Sequence, residues 1–210
     1  MKTVLFACRS NSCRSQMAEG WAREWIRLEI EKNSESSTQR QILERLVVGS
    51  VALDAAAVFG GVVGGNVGEQ ETCCCDPCNT PKQRKEVKSK AVTAMMKDGV
   101  DISSFVPKTI NEVLPKLQPS GSSLGFSVQA EKPIDILIIL CSCGDDVKNT
   151  LSDKSKLVQE WNVDAPTACS KNGEGDNAYT RVSREIKHQV NNLMESVLEE
   201  ESIKVAKCCA

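Results

Sequence analysis

The stretch that decides the fold is Lys2–Gln16, with the sequence KTVLFACRSNSCRSQ. Val4–Phe6 is a short apolar run of strand-forming residues, and the polar segment Cys8–Ser15, made largely of small side chains, follows it at once. Behind that segment, Met17 and Trp21 stand at helical spacing. The pattern predicts a strand, a tight loop, and a helix whose N-terminus faces the loop.

A loop of this kind, entering a helix N-terminus, is suited to an anion. Its backbone N–H groups point inward, and the helix dipole adds partial positive charge. Cys8 opens the loop and Arg14 closes it, with five residues between them, so the loop can curl and bring the guanidinium opposite the sulfur. Arginine binds a tetrahedral oxyanion through two parallel hydrogen bonds, and the same donors stabilise a thiolate. An ordinary turn with a buried cysteine would not need Cys, Asn, two Ser and Arg in this order.

The run Asn11–Trp21, NSCRSQMAEGW, resembles the low-molecular-weight protein tyrosine phosphatase superfamily and, within it, the arsenate reductase branch. The run AVTAMMKDGVDISS at residues 91–104 resembles the same branch, in which a helix closes with a similar turn. The resemblance covers residues 1–30, 88–104 and 134–200. It implies an α/β, three-layer fold with a four-stranded parallel sheet flanked by helices.

The resemblance also implies roles for the loop residues and a substrate, arsenate, with no bound cofactor. Cys8 would be the nucleophile, and the Ser15 hydroxyl would hydrogen-bond its sulfur. Asn11 and Ser12 would hold the shape of the loop, while Cys13 would serve packing rather than chemistry. The expected substrate-binding residues are Arg9, Ser10, Asn11, Ser12, Cys13 and Arg14.

A second pair of cysteines follows a second strand. Residues 134–140 are almost continuously apolar, which is typical of a parallel strand buried on both faces, and the run ends in Cys141 and Cys143. Chemistry in open α/β sheets lies beyond the carboxyl ends of the strands, so we expect Cys8 and Cys141 to face one crevice. LCSCG at 140–144 resembles the LCGCG segment of glutathione- and glutaredoxin-coupled arsenate reductases. That resemblance implies relay thiols, glutathione as co-substrate and glutaredoxin as partner; two buried structural thiols are the alternative.

The expected general acid departs from the family pattern. The family has an aspartate directly before a proline, whereas here the order is Asp164, Ala165, Pro166. Asp164, displaced by one residue, is our candidate acid, and the displacement argues against an efficient phosphatase. Two other functions stay open: a phosphatase that uses Cys8, Arg14 and an acid, and a non-catalytic protein that binds oxyanions or thiophilic metals. A specific metal site is not expected, because the adjacent cysteines within residues 73–78 make poor tetrahedral ligands.

The composition argues against nucleic-acid binding and membrane insertion. The chain has 210 residues and a net charge of −2, which fits one α/β domain without a basic surface for nucleic acid. Aromatic residues are 4%, too few for a base-stacking platform. There are 11 cysteines and residues 2–7 are too short for a signal peptide, so we expect a cytoplasmic protein. Because the cytosol is reducing, we expect its cysteines to be thiols, metal ligands or redox-active groups rather than structural disulfides. The most apolar stretch, 51–68, contains Asp54 and many glycines and is a poor membrane span.

The rest of the chain is expected to form a single domain over 1–210. Residues 54–87 predict a flexible Gly/Cys-rich insertion, because glycine loses the most chain entropy on ordering; a buried pair of Gly-rich strands is the alternative. Further strands are expected at 46–51 and 158–163, and a final helix over 179–197. The polar segment 31–39 and the segment 107–133 are expected to be loops or connectors.

Overall fold

The computed structural model describes residues 1–34, 37–58, 85–117, 133–141 and 151–208. Four parallel strands form one sheet in the order β2-β1-β3-β4. They are β1 (Lys2–Cys8), β2 (Leu46–Ala52), β3 (Ile134–Ile139) and β4 (Ser155–Glu160). Because β1 is buried along its whole length between two neighbours, its carboxyl end opens at the centre of the sheet edge.

Helices flank this sheet on the described part of the chain. They are α1 (Arg14–Lys32), α2 (Thr38–Leu43), α3 (Ala55–Val58), α4 (Ser89–Lys97), α5 (Ile110–Leu117), α6 (Pro166–Cys169) and α7 (Asn177–Cys208). A π-helical turn, Ser170–Glu174, joins the last two. No helix among these residues is long and apolar enough to cross a membrane.

The packing of α1 fixes where the loop before it sits. Trp21 on α1 donates from its ring nitrogen to the Ser183 hydroxyl of α7 at 3.2 Å, and that hydroxyl lies 3.1 Å from the Met95 sulfur of α4. Gly20 allows this close approach, since a Cβ there would lie 2.7 Å from Ile102. The start of α1 is therefore held rigidly behind the end of β1.

The turn after α4 ends that helix as the sequence predicts. Gly99 has φ +85°, a left-handed conformation that glycine adopts without a Cβ clash. The N–H of Val100 donates to the Met95 carbonyl at 3.1 Å and that of Gly99 to the Met96 carbonyl at 3.0 Å. These two bonds form a Schellman motif, which satisfies the last carbonyls of the helix.

The predicted fold class and the strands β1, β2 and β3 are confirmed, and three segment predictions are wrong. The last strand is Ser155–Glu160 rather than 158–163, because Ser155 rather than Val158 begins the pairing with β3. The segment 107–133 contains α5, which begins after Thr109 binds the Glu112 carboxylate through both its N–H and its hydroxyl. The segment 31–39 runs into α2, whose N-cap Ser37 accepts from the Arg40 N–H.

The predicted insertion at 54–87 lies partly outside the described residues. Its first residues form α3, and at its other end the Lys85 N–H donates to the Val58 carbonyl at 2.8 Å. Val87 is buried in the core. Both described ends of the segment are thus tied to the domain, and residues 59–84, with the cysteines at 73–78, fall outside the description.

Candidate active site

The loop between β1 and α1, residues 8–15, has the form that an oxyanion site requires. Cys8 ends β1 and is a buried free thiol, and Cys13 is the N-cap residue of α1, without a capping side-chain hydrogen bond. Within the described residues, the backbone N–H groups of residues 9–14 donate to no other protein group. A row of unpaired donors at a helix N-terminus is a binding site for an anion.

The Cys8 sulfur has the partner that the sequence predicts. Its Sγ lies 2.9 Å from the Ser15 Oγ in a buried setting. Ser15 also accepts a hydrogen bond from the Asn11 amide nitrogen at 2.9 Å. Because Asn11 donates to that hydroxyl, the Ser15 proton is left to point at the sulfur, where it stabilises a thiolate.

Asn11 shapes the loop from its centre. It is fully buried and has φ +49°, a left-handed conformation that asparagine tolerates better than most residues. Its amide nitrogen also donates to the Ser50 hydroxyl at 2.9 Å, and its amide oxygen accepts from the Lys108 N–H at 2.7 Å. The Gln16 amide donates to the same oxygen at 2.9 Å. These contacts fix both the loop and the orientation of the amide.

A buried carboxylate anchors this network from below. Glu19 is almost fully buried and accepts from the Ser50 hydroxyl at 2.5 Å, so Ser50 links it to Asn11. The Lys108 ammonium lies 2.8 Å from one carboxylate oxygen, and the Arg23 guanidinium lies 2.6 Å from the other. A buried carboxylate needs such partners, since an unpaired buried charge is strongly destabilising. Sequence reasoning missed Ser50 and Lys108, because they come from distant segments.

Arg14 lies at the first turn of α1, half-buried, as the C-x5-R spacing predicts. One of its Nη groups donates to the Val163 carbonyl at 2.9 Å. A guanidinium carries five N–H donors, so this contact leaves donors for an oxyanion. Arg9 is exposed at the rim, Ser10 and Ser12 bond each other at 2.8 Å, and Ser12 is buried.

Cys13 lies inside the loop, away from solvent. It is a buried free thiol. Burial raises the pKa of the Cys13 thiol to about 12, and the neighbouring Cys8 adds to this, whereas Lys88 and Arg14 act in the opposite direction. A thiol with this pKa stays protonated near neutral pH and is a poor nucleophile.

The two strand ends that the sequence places at one crevice are adjacent. The Leu140 N–H donates to the Ala7 carbonyl at 2.8 Å, so Cys141 follows the end of β3 directly beside the Cys8 loop. Cys141 is buried and disulfide-bonded, and its partner is neither Cys8 nor Cys13, which are both free. Cys143 lies outside the described residues.

Asp164 is close to the site in sequence, but its carboxylate pairs with Arg181 on α7. It follows Val163, which contacts Arg14, yet its carboxylate lies 3.0 Å from the Arg181 guanidinium and is more than half exposed. Ala165, which occupies the position of the family aspartate, is also exposed. The structure therefore brings Cys8, Asn11, Arg14 and Ser15 together and places Asp164 at the periphery.

No protein-family model matches the chain. The arsenate reductase of Staphylococcus xylosus is 74% identical to it over 23 residues, and that of Staphylococcus aureus strain Newman is 70% identical over 23 residues. Each match covers 11% of this chain and 18% of the relative. The chain thus matches less than a fifth of the length of these curated relatives.

Solved structures match over nearly the whole chain. An arsenate reductase in the phosphate binding state aligns with TM-score 0.53 and 22% identity, covering 93% of this chain and 98% of that one. The protein tyrosine phosphatase of Entamoeba histolytica aligns with TM-score 0.55 and 14% identity, covering 96% and 99%. At these identities the likeness establishes the fold, that of the low-molecular-weight phosphatases and arsenate reductases.

Proposed function

We propose that this protein reduces arsenate to arsenite, with Cys8 as the nucleophile. The observation that supports the proposal is the position of a second cysteine, Cys141, at the strand end beside the Cys8 loop. Phosphate ester hydrolysis needs no second thiol there, whereas reduction of arsenic(V) needs two electrons. The short matches to curated arsenate reductases support the same choice.

The first step is a substitution at arsenic. The Cys8 thiolate attacks arsenic(V), a sulfur–arsenic bond forms, and one arsenate oxygen leaves as water after taking up a proton. The remaining oxygens accept hydrogen bonds from the loop N–H groups and from Arg14. The proton comes from Asp164 or from solvent. Because Asp164 is paired with Arg181, a strong acid role is not built into the site, which disfavours hydrolysis of phosphate esters.

The second step is the reduction. A thiolate, from Cys141 or from glutathione, attacks the Cys8 sulfur. The sulfur–arsenic bond breaks, and its electron pair goes to arsenic, which leaves as arsenite. The two sulfurs are oxidised to a disulfide, so electrons balance. Glutathione then reduces this disulfide and restores both thiols.

The electron donor follows from the LCSCG resemblance alone. We assign glutathione as co-substrate and glutaredoxin as the partner that removes glutathione from the protein, with no bound cofactor and a location in the reducing cytoplasm. In the thioredoxin-coupled branch a second redox cysteine stands about seven residues beyond the first; here those positions, 148 and 150, hold Lys and Thr. We therefore expect thioredoxin alone to support little turnover.

One assay separates the candidate functions. Purified protein receives arsenate, glutathione and glutaredoxin, and arsenite is measured; a parallel sample receives an aryl phosphate. We expect arsenite formation that Cys8→Ser abolishes, with little phosphate release. Turnover of the aryl phosphate without arsenite would establish a phosphatase instead, and neither activity would indicate a binding protein.

The cysteine-rich segment 73–78 is proposed to lie outside this chemistry, within a single domain over 1–210. Changing its four cysteines to serine should leave arsenite formation largely unchanged, because the segment has no counterpart in the family pattern. Loss of most activity would place these thiols in the electron relay.

A further inference from the structure

Lys88 joins three parts of the molecule at the edge of the site. It is the N-cap residue of α4, and its backbone N–H donates to the Ser12 carbonyl of the Cys8 loop at 2.9 Å. Its positive charge also reaches the interior of that loop, where it opposes the rise in the pKa of Cys13. This position could not be recognised from the sequence, because Lys88 is one of several lysines in the basic run 82–90.

The side chain of Lys88 reaches a different segment. Its ammonium donates to the Thr167 hydroxyl at 2.6 Å. That hydroxyl lies 3.1 Å from the phenol oxygen of Tyr179, a residue buried at the start of α7. Thr167 is thus held between a lysine on the Cys8 loop side and a fixed tyrosine.

The segment 163–169 contacts the Cys8 loop directly at one point and is linked to it through Lys88 at another. Near its beginning the Val163 carbonyl accepts from Arg14, and further along Thr167 binds Lys88. Asp164 lies between them. The position of this segment therefore sets one of the contacts that orient the Arg14 guanidinium.

We propose that Lys88 is a positioning residue for the anion site, which holds segment 163–169 against the Cys8 loop and thereby orients Arg14 for the arsenate oxygens. This deepens the proposed arsenate reduction and rests on it for the identity of the anion. A guanidinium already aimed at its ligand loses less freedom on binding, so the contact improves affinity without touching arsenate.

The chain offers a matched control in the same helix. The Lys90 ammonium lies 2.8 Å from the Asp176 carboxylate, an exposed ion pair that also links α4 to the segment before α7. Unlike Lys88, Lys90 makes no hydrogen bond or ion pair with the Cys8 loop among the described residues. The hydrogen bond from Lys88 to Thr167 is exposed as well, so the two bridges are matched in exposure and differ in the segment that they hold. Lys90→Met therefore removes a similar charge and a similar bridge without removing the proposed positioning contact.

The first measurement is amide hydrogen exchange in the free protein. The N–H groups of Val163, Ala168 and Cys169 are hydrogen-bonded within this region and report on its opening. We expect faster exchange at these amides in Lys88→Met and Thr167→Val, and unchanged exchange in Lys90→Met. Exchange in Lys88→Met that matches the wild type would overturn the proposal, whatever the substrate is.

The second measurement is arsenate binding by calorimetry in a Cys8→Ser background, which cannot turn over. We expect Lys88→Met to weaken binding roughly three- to tenfold, as for loss of one ordinary, solvent-exposed hydrogen bond. The Lys88→Met/Thr167→Val double variant should bind no more weakly than either single variant, and Lys88→Arg should restore most of the affinity. Additive losses would overturn the shared contact. If the Cys8→Ser parent binds no arsenate, the proposed function fails, and the exchange measurement still decides whether Lys88 holds the segment.

Discussion

Replacing Asn11 with alanine tests whether this one side chain stabilises the conformation of the Cys8 loop, residues 8–15. Its amide makes four hydrogen bonds, to Ser15, Ser50, the Gln16 amide and the Lys108 N–H. At about 1 kcal/mol net for each bond, their loss costs about 4 kcal/mol. Alanine must also adopt φ +49°, at a further cost of about 1–2 kcal/mol. We expect Asn11→Ala to lower the free energy of unfolding by about 5–6 kcal/mol before any relaxation.

Asn11→Gly separates the two contributions. Glycine avoids the cost of the left-handed conformation, about 1–2 kcal/mol, but loses about 0.5–1 kcal/mol more chain entropy. We therefore expect it to be about 0.5–1 kcal/mol more stable than Asn11→Ala, with the hydrogen-bond loss common to both. Urea unfolding measures both values, and arsenite formation measured on the folded fraction should fall in both variants. A loss below about 1 kcal/mol in Asn11→Ala would refute the reasoning, since it would mean the network does not stabilise the loop.

Three further changes test other parts of the site and the fold. Arg14→Lys should lower kcat/KM for arsenate by about 10- to 100-fold, because an ammonium cannot make the planar two-point contact; steady-state kinetics that match the wild type would contradict it. Cys13→Ala should keep arsenite formation within about twofold of the wild type, because a thiol with a pKa of about 12 stays protonated in the assay; a large loss would give Cys13 a chemical role. Hydrogen bonds from Lys2 and Lys204 lower the pKa of Glu200 from 4.5 to about 2, so its stabilisation is present above pH 4.5 and is lost as the pH falls toward 2. Glu200→Gln should flatten the acid limb of the stability curve by at most about 1 kcal/mol, because the carboxylate is half exposed and screened by solvent; an unchanged limb would contradict this.

The helices and strands nearest the Cys8 loop can be predicted because the sequence patterns that specify them are local. A β-branched and aromatic run followed by Cys8–Ser15 and a helical pattern specifies strand, loop and helix within thirty residues. The run 134–140 likewise reads as a buried parallel strand without any knowledge of its neighbours. The adjacency of Cys8 and Cys141 then follows from the rule that parallel strands end at the same edge.

The missed features depend on contacts between distant segments. The edge strand β4 is exposed over most of its length, so it lacks the apolar run that marks a strand, and its bounds were misplaced. The fold brings three distant segments to the Cys8 loop: β2, the residues just before α5, and the residues just before α4. These segments contribute Ser50, Lys108 and Lys88 to the site. The spacing of residues within one segment does not predict a contact with a residue of another segment. The pairing of Asp164 with Arg181 is of the same kind.

The most direct test of the central claim is mass spectrometry of the cysteines after a single turnover. The protein is first reduced, freed of reductant, and mixed with arsenate and a limited amount of glutathione. Remaining thiols are then alkylated, and the Cys8 peptide is identified. We predict that arsenate, but not phosphate, converts Cys8 into a disulfide with Cys141 or Cys143, or places glutathione on one of these three cysteines, with arsenite formed in equal amount. Arsenite formation while Cys8 remains a free, alkylated thiol throughout would contradict the account.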